Sequence, residues 1–488
     1  MTAELALLGV VLGPLAQALL TVILARPPGM RDVVFVSLSL FTAACAWRLL
    51  QAAAAGEAAR IALVQPLPNV DLALAVEPFA ALTAAVIAVC SVLHALHTVG
   101  LMRVTREPAP VRLMVFIALC VGAVMAVAFS ANLFTLFVAN QALTLAAFPL
   151  VAHRGDAESA AAGRLFLATL LAASVGLFLP AMVWTYAIVG ALDFQTGGVL
   201  AGRVDALTAN ALLVMFVVGL ATTALPPLHR WLPAAAIAPP PALTTVQALA
   251  VVPAGGIGVF KVAAFVFGPA LHEAAFATRS LIAVAGVGMC GAALIALSRQ
   301  DMRERLAYSC IAQSLAVLLA VLLALPVGLF AGALQLTATI FASATLSMVV
   351  GSVAAVTTRQ SAGDYTGLGR VMPWSLAAFA LACASMIGMP PFSGAWAKLW
   401  LITGAASAGL TWAAALVGLA AILTFAHLGP LAANALAARA PPDPFHRPDG
   451  ASIALVAPVV LSAAATLWLL IAADPLAAFL APVWTPQP

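Results

Sequence analysis

Charge is scarce in this sequence. Asp, Glu, Lys and Arg make up 8% of its 488 residues and 64% are hydrophobic, whereas soluble domains carry about 25% charged and about 45–50% apolar residues. With a mean hydropathy of +1.12, a soluble globular domain is excluded and an all-α polytopic membrane protein is expected. Basic runs are also missing. The net charge of +4 comes from residues scattered through short connections, which leaves nothing to track a phosphate backbone, so no nucleic-acid partner is expected. Cysteine is sparse, and the six present (Cys45, Cys90, Cys120, Cys290, Cys310 and Cys383) stand singly in apolar segments. Without C-x-x-C spacing they are expected to be buried, inert thiols, with no metal site. There is no P-loop, no G-x-G-x-x-G after a strand, no haem C-x-x-C-H and no cysteine cluster for iron–sulfur ligation, so no cofactor is expected in this chain. At the N-terminus Glu4 replaces the basic region of a signal peptide. The apolar run continues to Ala25, too long for a signal core, and is expected to be a retained first span.

What is present is a long series of apolar runs. Segments long enough to cross a hydrocarbon core of about 30 Å fall at 5–25, 33–50, 78–99, 113–130, 133–151, 165–189, 209–224, 244–268, 280–297, 306–324, 327–356, 374–406, 410–437 and 452–473, fourteen in all. Spans four and five lie so close that a tight turn at Asn132 must separate them. The basic residues provide an independent check. Connections that follow odd-numbered spans hold fifteen arginines: Arg26, Arg31, Arg103, Arg106, Arg112, Arg154, Arg164, Arg230, Arg299, Arg303, Arg305, Arg359, Arg370, Arg439 and Arg447. The even side holds four, Arg48, Arg60, Arg203 and Arg279. By the positive-inside rule the odd loops face the cytoplasm and both termini lie outside, in an integral protein of a bacterial inner membrane. Segments 51–77 and 190–206 are then external loops, and 440–450 a proline-rich cytoplasmic connector.

Within this plan one stretch cannot be a continuous helix. Residues 224–245 carry six prolines together with His229, Arg230 and Trp231. Pro226 and Pro227 remove backbone donors and push the preceding residue out of the α region. Interrupted backbone at membrane depth is tolerated only where protein or a water-filled cavity satisfies it, so a polar path is expected here. A second break, Pro390-Pro391, interrupts span twelve. The two breaks lie five spans apart. If spans four to eight and nine to thirteen are repeats, an odd helix count per repeat makes them inverted, and discontinuous helices at matching places in inverted halves point to a transport path. The expected domains are therefore an N-terminal three-helix segment at 1–110, five-helix repeats at 111–268 and 279–437, and a C-terminal loop and last helix at 438–488.

Away from span ends only two basic residues fall inside spans, Lys261 and Lys398. Intramembrane charge costs at least about 2.5–3.5 kcal/mol on insertion scales, so each requires a reason. Lys261, in the outer part of its span, is expected to snorkel to the interface. Lys398 stands mid-span beside Trp396 and Trp400, either on a polar path or in a structural contact. His229 is either on the path or a hydrogen-bonding group for interrupted backbone. His94 and His97 share a face of span three near its end and are expected to pack at the interface, since no further metal ligands accompany them. His427 stays open between function and packing.

The motifs around both breaks resemble a known family. P-P-L-H-R-W-L-P from Pro226 followed by A-P-P-P, N-L-F-T-L-F-V from Asn132, D-M-R-E-R-L-A-Y-S-C from Asp301 and G-M-P-P-F-S-G-A-W-A-K from Gly388 are similar to signatures of the proton-conducting antiporter-like subunits. Complex I, membrane-bound hydrogenases and Mrp sodium/proton antiporters share these subunits. The likeness covers about residues 70–430, in the expected order. It implies fourteen helices with inverted repeats, membrane-subunit partners in a hetero-oligomeric complex, and a buried row of Glu, Lys and His that passes protons through water. It allows at most a non-redox membrane subunit of an NADH-quinone oxidoreductase or hydrogenase-like complex.

Aligned on those motifs, this chain has lost most of that row. The expected glutamate of span five falls at Gln141, the lysine of span seven at Thr222, the histidine of span eight at Gln247 with its following lysine at Pro253, and the lysine of span eleven at Ser343. Only the span-twelve lysine persists, as Lys398. All seventeen Asp and Glu residues lie in loops or at span ends, with Glu77 the deepest. Gln, Thr and Ser relay hydrogen bonds but do not take up a net proton near neutral pH. Two readings follow: a subunit of an ion-translocating complex with a degenerate proton path through Lys398, His229, Gln141, Thr222, Gln247 and Ser343, or a non-pumping scaffold or membrane partner in uptake of another solute such as inorganic carbon.

Overall fold

The computed structural model describes residues 1–357, 359–437, 452–471 and 473–484. Arg439, Arg447 and the proline-rich segment 440–450 lie outside the described residues. The helices are α1 (Ala3–Ile23), α2 (Pro28–Ala54), α3 (Pro78–Thr105), α4 (Pro110–Ala128), α5 (Leu133–Val151), α6 (Ala157–Val189), α7 in two pieces (Ala206–Gly219 and Trp231–Ala235), α8 (Pro240–Phe267), α9 (Ala275–Ser298), α10 (Met302–Val321), α11 (Pro326–Thr357), α12 in two pieces (Pro373–Ile387 and Ser393–Ser407), α13 (Thr411–Ala437), α14 (Ile453–Ile471) and a short α15 (Ala473–Leu480). Eleven of these are long and apolar enough to cross a membrane, and the shorter apolar helices belong to α7, α12 and α14. The chain is thus an all-α polytopic membrane protein with discontinuous seventh and twelfth helices.

Helix starts explain where the scarce acids sit. The Asp156, Asp205 and Asp301 side chains accept first-turn N–H groups of Ser159 (2.7 Å), Thr208 (3.0 Å) and Arg303 (2.7 Å), and Glu77 accepts from Phe79 and Ala80, both at 3.2 Å. These are N-caps that satisfy otherwise orphaned donors. The Ser159 N–H holds the Asp156 carboxyl below the ordinary carboxylate range. Asn132 makes the turn expected between α4 and α5, capping α5 through Thr135 N at 2.8 Å.

The connections meet according to the parity of the spans they follow. On the odd side Arg103 binds Asp32 at 2.7 Å, Arg303 binds Gln360 at 3.0 Å, and Gly367 N donates to Asn434 O at 3.0 Å. On the even side Arg60 binds Asp193 at 2.8 Å. A miscounted span would have set these partners at opposite ends.

Segment 51–77, expected as a loop, instead contains an antiparallel hairpin of β1 (Arg60–Leu67) and β2 (Val70–Ala75). It is joined to the α4–α5 turn by Ala75 N to Phe129 O (2.8 Å), Ala131 N to Ala73 O (3.0 Å) and Asn132 Nδ2 to Asp71 O (2.7 Å). Backbone pairing across the hairpin and turn satisfies groups that a bare loop would have left to solvent.

This hairpin overturns the expectation for Lys261. Its side chain is 0% exposed and does not reach the interface. It donates to Ser130 O at 2.8 Å, lies 3.6 Å from Glu77 Oε1 and stands 5.4 Å from the Phe194 ring centroid. The hairpin and the loop after α6 cover the helix end over which the side chain would have snorkelled. The charge is held by a carboxylate, a helix-terminal carbonyl and a π face.

Candidate functional site

At each break a helix ends in mid-structure, and its last carbonyls need partners. Pro226 of the α7 break lies against Gly288, near the middle of α9, where an added Cβ would come within 3.0 Å of the proline ring. The break is therefore at mid-depth. Its freed carbonyls are taken by neutral donors: Trp231 Nε1 donates to Ala221 O at 3.0 Å and Ser314 Oγ to Thr223 O at 2.9 Å. Both Pro226-Pro227 and Pro390-Pro391 are cis.

At the α12 break the partner is charged. Lys398, 7% exposed, reaches back from the second piece to the end of the first and donates to Met386 O at 2.6 Å. The negative end of a half-helix is a cation site, and the ammonium occupies it. A second donation goes to Gln313 Oε1 at 3.3 Å. Gln313 in turn accepts from Gln335 Nε2 at 2.9 Å, and Gln335 Nε2 also donates to Thr339 Oγ1 at 3.1 Å. A polar line thus runs from Lys398 across α10 to α11.

Gln247 and Ser343 belong to an adjoining group. Gln247 lies in a π-helical turn of α8, Thr245–Leu249, the kind of local widening that is frequent at functional sites. Its Nε2 donates to Ser347 Oγ, and Cys310 Sγ donates to its carbonyl at 3.3 Å. Ser343 Oγ lies 4.0 Å from that sulfur. A cavity of about 10 Å³ between α8, α10 and α11 is lined by Gln247, Ser314 and Thr339 among apolar residues. The surface it exposes is apolar, the character of a dry cavity. The Gln247 group, the line ending at Lys398 and Ser314, which closes the α7 break, meet around this cavity.

The remaining expected residues are less closely joined. Thr222 is buried in that break with no hydrogen-bond partner for its hydroxyl among the described residues, and its backbone presses on α8, where a Cβ at Gly255 would lie 2.6 Å from the Thr222 carbonyl carbon. Gln141 donates to Ser174 Oγ at the π-helical turn of α6 and is not joined to the Lys398 line. His229 is half-buried in the turn Leu228–Arg230, and the structure does not bring it to the others. Both ring nitrogens of His427 are buried without hydrogen-bond partners among the described residues.

Two expectations need correction or extension. His94 and His97 do not pack at an interface. Each is 1% exposed, because α3 continues to Thr105, past the expected end, with Arg103 neutralised by Asp32. Gln313, Gln335 and Thr339 join the site although none is ionisable and none falls at a position the motif resemblance marks. Two long amides in consecutive apolar segments, each costly to bury unpaired, were the signal available.

The profile of the family described as NADH:quinone oxidoreductase/Mrp antiporter, TM, matches residues 130–424. An NADH-quinone oxidoreductase subunit of Desulforudis audaxviator is 28% identical over 299 residues, 60% of this chain and 58% of that one. A subunit of the Na(+)/H(+) antiporter of Alkalihalophilus pseudofirmus is 24% identical over 276 residues, 56% of this chain and 55% of that one. The chain thus spans little more than half the length of these curated relatives. Among solved structures, a chain of the Mrp complex from Dietzia sp. superimposes with a TM-score of 0.87 at 23% identity, covering 100% of this chain and 98% of its own. A chain of the archaeal membrane-bound sulfane sulfur reductase does so with 0.83 at 24% identity, covering 98% and 96%. Both share the fold. With the profile spanning more than half its length, the chain belongs to the NADH:quinone oxidoreductase/Mrp antiporter transmembrane family.

Proposed function

We propose that this chain is a membrane subunit of a multi-subunit ion-translocating complex and that it conducts protons through the half organised around the α12 break. The observation that supports this most directly is Lys398, the one ammonium of the mid-membrane row, held between a half-helix carbonyl and a line of amides and hydroxyls. A lysine so placed can release a proton and recover it while Gln313, Gln335 and Thr339 relay hydrogen bonds. Thr222 and Ser343 serve as hydroxyl relays in this reading, Gln141 marks a disconnected remnant of the first half, and His229 acts at the entrance of the α7 break. The five-helix units 111–268 and 279–437 are inverted repeats, with both termini outside a bacterial inner membrane. The relatives' membership of Mrp and respiratory complexes supports membrane-subunit partners for this chain.

The test is proton flux in proteoliposomes holding the complex isolated by an affinity tag on this chain. Lys398→Ala is expected to abolish flux under an imposed potential. Unchanged flux removes Lys398 from the mechanism. One observation favours a second reading: among the described residues no carboxylate lies at mid-membrane, so the charge alternation of a pump has no acid with which to work. On that reading the chain is a non-pumping scaffold or the membrane partner of a solute-uptake system, and the wild-type complex carries no proton flux.

A further inference from the structure

The Lys398 line and the Gln247 group need a way out to solvent, and on α3, outside both five-helix units, two buried histidines stand against α8 and α11. His94 Nε2 is 3.1 Å from Thr245 Oγ1, with Thr98 Oγ1 at 3.5 Å, and His97 Nε2 is 2.8 Å from Ser352 Oγ. Thr245 opens the π-helical turn that carries Gln247, and its hydroxyl donates to Pro241 O at 2.9 Å. That donation leaves the Thr245 oxygen as acceptor and fixes His94 with its proton on Nε2.

Towards the odd-loop face the packing opens. One and two turns beyond His97, Leu101 and Thr105 line a cavity of about 360 Å³ that also contains Glu107, His153 and Pro241. His153 Nε2 lies 3.1 Å from Glu107 Oε1, so a carboxylate and an imidazole stand where water enters. A neighbouring cavity of about 150 Å³ shares Thr105, Arg154 and Pro240. In the opposite direction His94 borders a cavity of about 10 Å³, the size of one water molecule, whose mostly apolar wall also includes Ser91, Gln17 and Ser39.

A structural account of His94 and His97 does not need this arrangement. Imidazoles buried only to fill space among alanines and valines would incur a desolvation cost that a leucine avoids. Placed between an open cavity and a water-sized one, they have a use that leucine cannot supply. A neutral imidazole binds a proton at its free nitrogen and gives up the one on the other, returning to neutral in the opposite tautomer with one proton in and one out.

We propose that His94 and His97 form a proton branch on α3, carrying protons between the vestibule beside the Glu107–His153 pair and the mid-membrane level of the α8 π-turn. The occupant is a proton passed along imidazoles and water. In the step through His94 an N–H bond forms at Nδ1, the Nε2–H bond breaks, and the released proton passes to Thr245 Oγ1, the atom that Nε2 faces, as the Thr245 hydroxyl gives its own proton to water at the α8 π-turn. The proposal rests on the proton-conducting reading above.

The experiment uses the same tagged complex in proteoliposomes and compares His94→Gln/His97→Gln, Thr105→Trp and Lys398→Ala. Glutamine keeps the hydrogen-bonding capacity but cannot carry a net proton, and the double variant is expected to lose at least about tenfold in flux, which is 1.4 kcal/mol in barrier. Thr105→Trp, at an exposed position, narrows the vestibule and is expected to lower flux about threefold, or about 0.6 kcal/mol on the same scale. Wild-type flux in an assembled double variant, with Lys398→Ala silent, overturns the branch and leaves the proposed function standing. If the histidine variants lose flux and Lys398→Ala does not, the branch stands and the role of Lys398 falls. A wild-type complex without flux overturns both. Should the double variant fail to assemble, Thr105→Trp decides, and undiminished flux there overturns the branch.

Discussion

The α7 and α12 breaks share a backbone plan. In each, a helix stops at mid-structure before a Pro-Pro pair, a glycine lets a neighbouring backbone pass close to the stop, and a side chain from beyond the break closes the orphaned carbonyls. They differ in that closing side chain. Trp231 and Ser314 close α7 with neutral donors, whereas Lys398 closes α12 with an ammonium. A neutral donor satisfies the carbonyl and stops there. An ammonium satisfies it and also holds a proton that can leave. The same architectural need is therefore met by neutral donors at one break and by a lysine at the other.

The glycines test the shared plan, and changes there are expected to have the largest effects. A Cβ at Gly394 would collide with the Ser385 carbonyl oxygen, and one at Gly255 would lie 2.6 Å from the Thr222 carbonyl carbon. In both places the obstacle is backbone, which cannot rotate away, so Gly394→Ala and Gly255→Ala are each expected to cost about 1–3 kcal/mol or more. The readout is yield and thermal stability of the purified complex. Equal losses confirm that the breaks share a plan, and tolerance at either site breaks the parallel.

A smaller effect is expected along the charged line. Gln313→Leu removes one of the two acceptors of Lys398 and interrupts the link to Gln335, and flux should fall about tenfold, the equivalent of 1.4 kcal/mol. Retention of full flux would mean that the proton leaves Lys398 by another route. Recharging the other half sharpens the comparison from the opposite side. Gln141→Glu with Thr222→Lys places an acid and a base at the two positions where the motif resemblance expects them, and is expected to raise flux several-fold if water still reaches both. No rise in an assembled variant would mean that the first half is closed. The smallest effect is expected for Trp231→Phe, which deletes one neutral hydrogen bond and should cost about 1 kcal/mol of stability with flux nearly unchanged.

The breaks, the parity of the loops and the singular position of Lys398 inside a span were legible in the sequence because each rests on a residue with one dominant physical constraint. Proline cannot continue a helix, arginine resists translocation, and a buried ammonium requires acceptors. The hairpin at Arg60–Leu67 was not legible, since its alternation is brief and its stability comes from pairing with the α4–α5 turn. Lys261 was misread for the same reason: position along a span does not reveal what covers the span's end. Gln313 and Gln335 were overlooked as uncharged, although a buried amide imposes nearly the same demand for partners as a charge does.

The central claim is that the charged break conducts and the neutral break supports. The most direct measurement is proton flux through complexes carrying Lys398→Ala beside complexes carrying Trp231→Phe, at matched assembly and the same imposed potential. Flux abolished by Lys398→Ala and within about twofold of wild type for Trp231→Phe, a difference of less than 0.5 kcal/mol in barrier, is the predicted result. Equal flux in the two variants would contradict the account.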